Sequence, residues 1–186
     1  MGKEKISSTC MRCLEIEDFL ENLGPHDYDQ EDTSPQTEEY NCIAYAIVGV
    51  TKKPWWPSAR WKNDYEWPSH LPREEYLKET LDNFIQAFET KGYRVCSNGK
   101  LKKGIEKVAI YTIAGVPKHA ARQLETGVWV SKCGDYEDIK HYTLPPTEGK
   151  NYGKVTTFLH RRRDGKPFLK DRILSIINKL RRKFLR

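Results

Sequence analysis

The hydrophobic and polar positions change period along the chain. Residues 8–23, STCMRCLEIEDFLENL, carry Leu14, Ile16, Phe19, Leu20 and Leu23 behind Ser/Thr capping candidates. Helical spacing and the stop at Gly24-Pro25 predict a short helix. Residues 25–37, PHDYDQEDTSPQT, are acidic and turn-forming and read as a linker. Behind Asn41, a good cap, Ile43, Ala44, Ala46 and Ile47 fall on one helical face, which predicts a helix starting at Cys42 and ending near Gly49. Residues 52–72 hold four Trp and four Pro with no period, the mark of a loop ordered by aromatic packing. The clearest helix is REEYLKETLDNFIQAFETKGY, with an apolar stripe of Leu77, Leu81, Phe84, Ile85 and Phe88 closed by Gly92.

Beyond Gly92 the pattern turns to strands. RVCS is short, and the near-continuous apolar run of EKVAIYTIAG predicts a strand covered on both faces. KHAARQLETGVWVSKCG reads as two strands joined at Glu125-Thr126-Gly127, and GKNYGKVTTFLHR as a last strand. Helices first and an antiparallel meander after them give an α+β layout.

Composition narrows the class. A chain of 186 residues with 38% apolar residues has material for one core. The expected organisation is an N-terminal helix and acidic linker over 1–34, a catalytic-type domain over 35–160, and a basic amphipathic helix over 161–186. No apolar run reaches membrane-spanning length and no signal peptide is visible, so a cytoplasmic location is expected. Five cysteines, an odd number at irregular spacing, fit free thiols in a reducing compartment. The net charge of +6 is uneven: residues 160–186 hold eleven Lys/Arg and two Asp, and the remainder holds 21 basic and 24 acidic groups. The body is therefore mildly acidic, and nucleic-acid binding is not expected of it.

Candidate chemistry starts at NCIAYAI. A cysteine at a helix start meets free N–H groups that stabilise a thiolate, the reactive form. The competing reading of Cys42 is a packing cysteine among Ile, Ala and Tyr. A nucleophile needs a base, and His119 in PKHAARQL is the best candidate. His119, Ala121 and Gln123 share one strand face, and the small alanine leaves room beside the ring. Ser131 on the next strand, Asp138 and His141 are the candidate orienting groups, and the sequence does not choose among them. Gln36 stands six positions before Cys42, which resembles the placing of the oxyanion-hole glutamine in papain-type enzymes and so implies a candidate oxyanion donor. Asn41, Trp55 and Trp56 are candidates for the substrate side of the cleft, against a reading of the Trp-rich loop as a packed cover.

The order of helix-borne Cys, strand-borne His and a polar residue on the next strand resembles the papain-like fold in its compact NlpC-type form. The motifs NCIAYAI, WWP, ETLDNFIQAFETKGY, VAIY, HAARQL, GVWVSKCGDYEDIKH and YGKV are similar to those of a group of small bacterial domains, over roughly residues 38–160. The resemblance implies a helix packed on an antiparallel sheet, Cys42 as nucleophile and His119 as base. It implies a cysteine hydrolase or acyl transferase acting on an amide bond in a peptide, an isopeptide or a glutamine side chain, and a role as toxin or effector is compatible with it. The alternative is an inactive domain of this fold that binds a protein through the Trp-rich loop or the basic helix.

Cofactors are not expected. Cys10 and Cys13 have the spacing of half a zinc site, but no second pair follows, so no metal is expected. In residues 161–186, Leu169, Ile173, Ile176, Ile177, Leu180 and Phe184 follow helical spacing between Lys and Arg. Such a helix suits an anionic membrane surface, a partner protein or, less favoured, nucleic-acid phosphates, or else packs on its own domain.

Overall fold

The computed structural model describes residues 15–29, 34, 36–47, 55–56, 66–71 and 79–171, with 173, 177 and 181. Residues 15–19 form a helical turn, α1. Two helices follow, α2 (Cys42–Ala46) and α3 (Leu81–Glu89). The strands are β1 (Tyr28–Asp29), β2 (Arg94–Cys96), β3 (Ile105–Ile113), β4 (Val116–Gln123), β5 (Trp129–Lys132), β6 (Asp138–His141) and β7 (Lys154–Arg162). They make one seven-stranded sheet in the order β1-β6-β5-β4-β3-β7-β2, with every pairing antiparallel. The protein is thus α+β, as the period change predicts. Among the described residues, no helix is long and apolar enough to cross a membrane.

β3 is central, paired with β4 on one side and β7 on the other. Its apolar run follows from cover on both faces. Val108 and Ile110 join Ala120 and Leu159 under α2, α3, Trp55 and Trp67. Ala109 and Tyr111 join Ala121, Trp129, Ile139 and Tyr152 under Ile16, Leu20 and Leu23. The buried carboxylate of Glu106 on β3 ties the sheet together: Nε of Arg161 lies 3.0 Å from it, Nη1 of Arg163 3.4 Å and Nη1 of Arg122 3.8 Å. Three cations around one buried carboxylate offset its desolvation.

Three expectations need correction. The clearest helix does not run from residue 73: Glu79 and Thr80 are not helical, and the Thr80 side chain accepts a hydrogen bond from the Asn83 N–H at 3.3 Å, capping α3 at Leu81. A Thr cap ends the extended backbone and supplies an acceptor to one of the orphan N–H donors of a helix start. Leu77 lies outside the described residues. The acidic stretch is not all linker, because Tyr28 and Asp29 pair with His141 and Lys140 as the sheet's edge. GDYEDIKH supplies a strand, β6, that its charged composition hid. Ile16, Leu20, Leu23 and Tyr28 are accordingly part of the core.

Candidate active site

Asn41 caps α2 as expected, but its amide does more. Its Oδ1 accepts from the Ala44 N–H at 3.0 Å and from the Trp55 N–H at 3.1 Å, while Nδ2 donates to the Trp55 carbonyl at 3.0 Å. All three bonds are structural and leave the side chain spent on holding α2 to the aromatic segment. Trp55 is buried, donating from Nε1 to Glu66 at 3.1 Å. Trp56 is half-buried, donating to Glu79 at 2.9 Å and set edge-on to Phe84. Both tryptophans therefore act as cover for the core. Gln36 is exposed.

α2 packs against β4 and β5, which brings Cys42 to the strand that carries His119. Cys42 Sγ lies 3.9 Å from the Lys118 carbonyl oxygen, and the Ala120 N–H reaches the sulfur from the other side of His119. The sulfur thus meets the backbone on both sides of the candidate base. Burial pushes the Cys42 thiol up to about 11, against the pull of the Ala120 N–H, the N–H groups of α2 and the Lys132 ammonium.

The His119 ring lies with Tyr111 and Tyr152. It stacks on Tyr152 with centroids 3.9 Å apart and meets Tyr111 edge-on at 5.1 Å. The ring is fully buried, and neither nitrogen has a hydrogen-bond partner among the described residues. Cys42 packs with Ala120 under α2, whereas the His119 ring lies with Tyr111 on the opposite face of the sheet, so the sulfur meets the backbone beside His119 and not its ring. Burial first, and then His141, hold the His119 pKa well below the usual imidazole value, so the ring is neutral.

Ser131 does not orient His119. Its Oγ lies 2.9 Å from His141 Nε2, and His141 Nδ1 lies 2.7 Å from the Thr143 carbonyl. A carbonyl only accepts, so Nδ1 carries the proton and Nε2 accepts from the serine hydroxyl. Burial lowers the His141 pKa to about 4.

Asp138 belongs to a different group. Its Oδ2 accepts from the Tyr40 hydroxyl at 2.6 Å, and it pairs in register with Lys132. Lys132 is fully buried, donates to the Tyr136 carbonyl and stands 5.8 Å from the Tyr40 ring. Burial lowers the Lys132 pKa and raises that of Asp138, each toward its neutral form.

The three orienting candidates therefore divide: Ser131 and His141 bond each other, and Asp138 serves Tyr40. Lys132, Tyr40, Tyr111 and Tyr152 were not singled out from the sequence. Lys132 was within reach, since strand alternation turns it to the face opposite Ser131, the face that α2 covers. Among the described residues no group of three or more His, Cys, Asp and Glu is placed to hold a metal ion, and Cys10 and Cys13 lie outside them. A cavity of about 340 Å³ is lined by Trp55, Glu66, Trp67 and His70, and a second of about 420 Å³ by Leu101, Lys103, Glu125 and Arg163. Neither is lined by Cys42 or His119.

A cysteine on a short helix, docked on the histidine-bearing strand of an antiparallel sheet, defines the class as an α+β domain with a candidate Cys–His pair. The chain belongs to the family described as Domain of unknown function (DUF7689), whose model matches residues 31–160. No curated protein and no solved structure matches the chain.

Proposed function

We propose that the chain is a papain-like domain of the NlpC type acting as a cysteine-dependent hydrolase or acyl transferase on an amide bond. One observation carries the reading. The Cys42 sulfur rests on the backbone either side of His119, a buried histidine whose two ring nitrogens have no hydrogen-bond partner among the described residues. Unpaired buried nitrogens are costly, and a group kept in that state calls for a use. In the reaction, the His119 ring swings from Tyr152 to the sulfur and takes the thiol proton as Cys42 Sγ attacks the substrate carbonyl. The C–N bond breaks, His119 returns the proton to the leaving amine, and a thioester on Cys42 remains for water or another nucleophile to resolve. The Cys42 N–H serves the oxyanion. At rest the Tyr111 and Tyr152 rings hold His119 away from the sulfur.

A second reading has its own support. A buried thiol pushed up to about 11, with a sealed, neutral imidazole on the opposite face of the sheet, suits an idle domain of the same fold that binds a protein partner. Iodoacetamide at neutral pH, followed by peptide mapping, separates the two. The hydrolase reading expects Cys42 to be modified ahead of the more exposed Cys96, and His119→Ala to remove that preference. Modification of Cys96 first, unchanged in the variant, supports the idle domain.

A further inference from the structure

The segment after β7 takes no part in the site above. It is fixed to the sheet where it begins. The Phe168 ring stacks on His160 with centroids 4.6 Å apart, and Arg94 Nε on β2 lies 3.7 Å from an Asp171 carboxylate oxygen. Residues 169–171, 173, 177 and 181 are helical. Leu169, Ile173 and Ile177 recur every four residues and so share one helix face. They are 68%, 48% and 40% exposed, so this face is not packed on the protein's own core. Asp171, held toward β2, falls on a different side of the helix from all three. In the sequence, Ile176, Leu180 and Phe184 continue the apolar face, and Lys170, Arg172, Lys179, Arg181, Arg182 and Lys183 surround it.

We propose that this segment is a membrane-surface anchor. The helix from Leu169 lies in the headgroup region of an anionic bilayer, its apolar face turned into the acyl boundary and its Lys and Arg residues on the acidic headgroups. Charge complementarity and the open apolar face together select this occupant. Residues 160–186 carry eleven basic and two acidic groups, and each basic residue near an anionic leaflet strengthens binding about fivefold. Nucleic acid would take the charge and leave Leu169, Ile173 and Ile177 in water. A bilayer takes both without requiring a complementary shape.

The test is co-sedimentation of the full chain with vesicles of phosphatidylcholine alone and of phosphatidylcholine with phosphatidylserine. Binding is expected only to the anionic vesicles and is expected to weaken with salt. Ile173→Glu with Ile177→Glu should lower the partition at least about tenfold while the melting transition shifts by no more than a few degrees, since both residues are exposed and outside the core. Lys170→Gln with Arg181→Gln should weaken it less and flatten the salt dependence. Absence of vesicle binding, or binding unchanged in the double Glu variant, overturns the proposal. So does tight binding to duplex DNA that survives that variant, or a dimer in solution that the variant dissolves without any vesicle binding.

Discussion

The imidazole of His119 lies face to face with the phenol ring of Tyr152, their centroids 3.9 Å apart and their planes 7° from parallel. Tyr152 reaches this position through a tight turn in which Gly149 and Gly153 exchange backbone hydrogen bonds of 3.0 and 2.7 Å. Gly153 has φ +76°, and a Cβ there would stand 2.0 Å from the Thr112 carbonyl oxygen. Gly153→Ala must therefore push β7 off β3 and carry Tyr152 off the imidazole. A loss of about 3 kcal/mol or more in urea unfolding is expected. Tyr152→Phe keeps the stack and should leave the His119 environment, read by NMR of the ring protons, nearly unchanged.

Asn41 joins α2 to the aromatic segment by three hydrogen bonds. Asn41→Ala removes the cap and strands two buried backbone groups of Trp55. A cost of about 3 kcal/mol follows, the cap alone accounting for about 1. Asn41→Asp keeps both accepted bonds and loses the donor, so its unfolding midpoint should fall between those of the wild type and the alanine variant.

Ser131 is paired with His141 in a buried contact of 2.9 Å. Ser131→Ala leaves Nε2 without a donor and should cost about 1–3 kcal/mol, measured by denaturant. The pH profile of Cys42 alkylation should not move. A changed profile would mean that the serine acts on His119 after all.

His119 and His141 are both held neutral in the folded chain, His141 with a pKa near 4. An unfolded imidazole titrates near 6.5, so the unfolded chain binds protons first as pH falls. Stability is whole above about pH 7 and declines from there towards pH 4, by up to about 1.4 kcal/mol per pH unit for each imidazole. Asp138, whose pKa burial raises, works in the opposite sense at the acid end. Urea titrations between pH 7.5 and pH 4.5 check this, and a flat profile would contradict the neutral, buried assignment of both rings.

Most of the fold was legible because its signals are local. The Asn41 cap, the alternation that turns His119 and Ala121 to one side, and the apolar run of β3 each follow from a few adjacent residues. What escaped depends on distant partners. β6 reads as a charged loop until Lys132, Tyr40 and Ser131 are available to its Asp138 and His141. The assignment of Ser131 to His119 failed for the same reason: strand alternation gives the face, not which of two histidines on that face takes the hydroxyl. The role of Tyr152 follows from the close approach at Gly153, which the YGKV motif marks without explaining.

The most direct test of the account is the rate of Cys42 alkylation as a function of pH in the wild type and in His119→Ala, each with its fold checked by near-ultraviolet circular dichroism. The hydrolase reading predicts a plateau near neutral pH that His119→Ala abolishes, because in that reading the imidazole must reach the sulfur and draw its proton. A rate that climbs tenfold per pH unit towards a thiol of about 11, identical in both proteins, would contradict it.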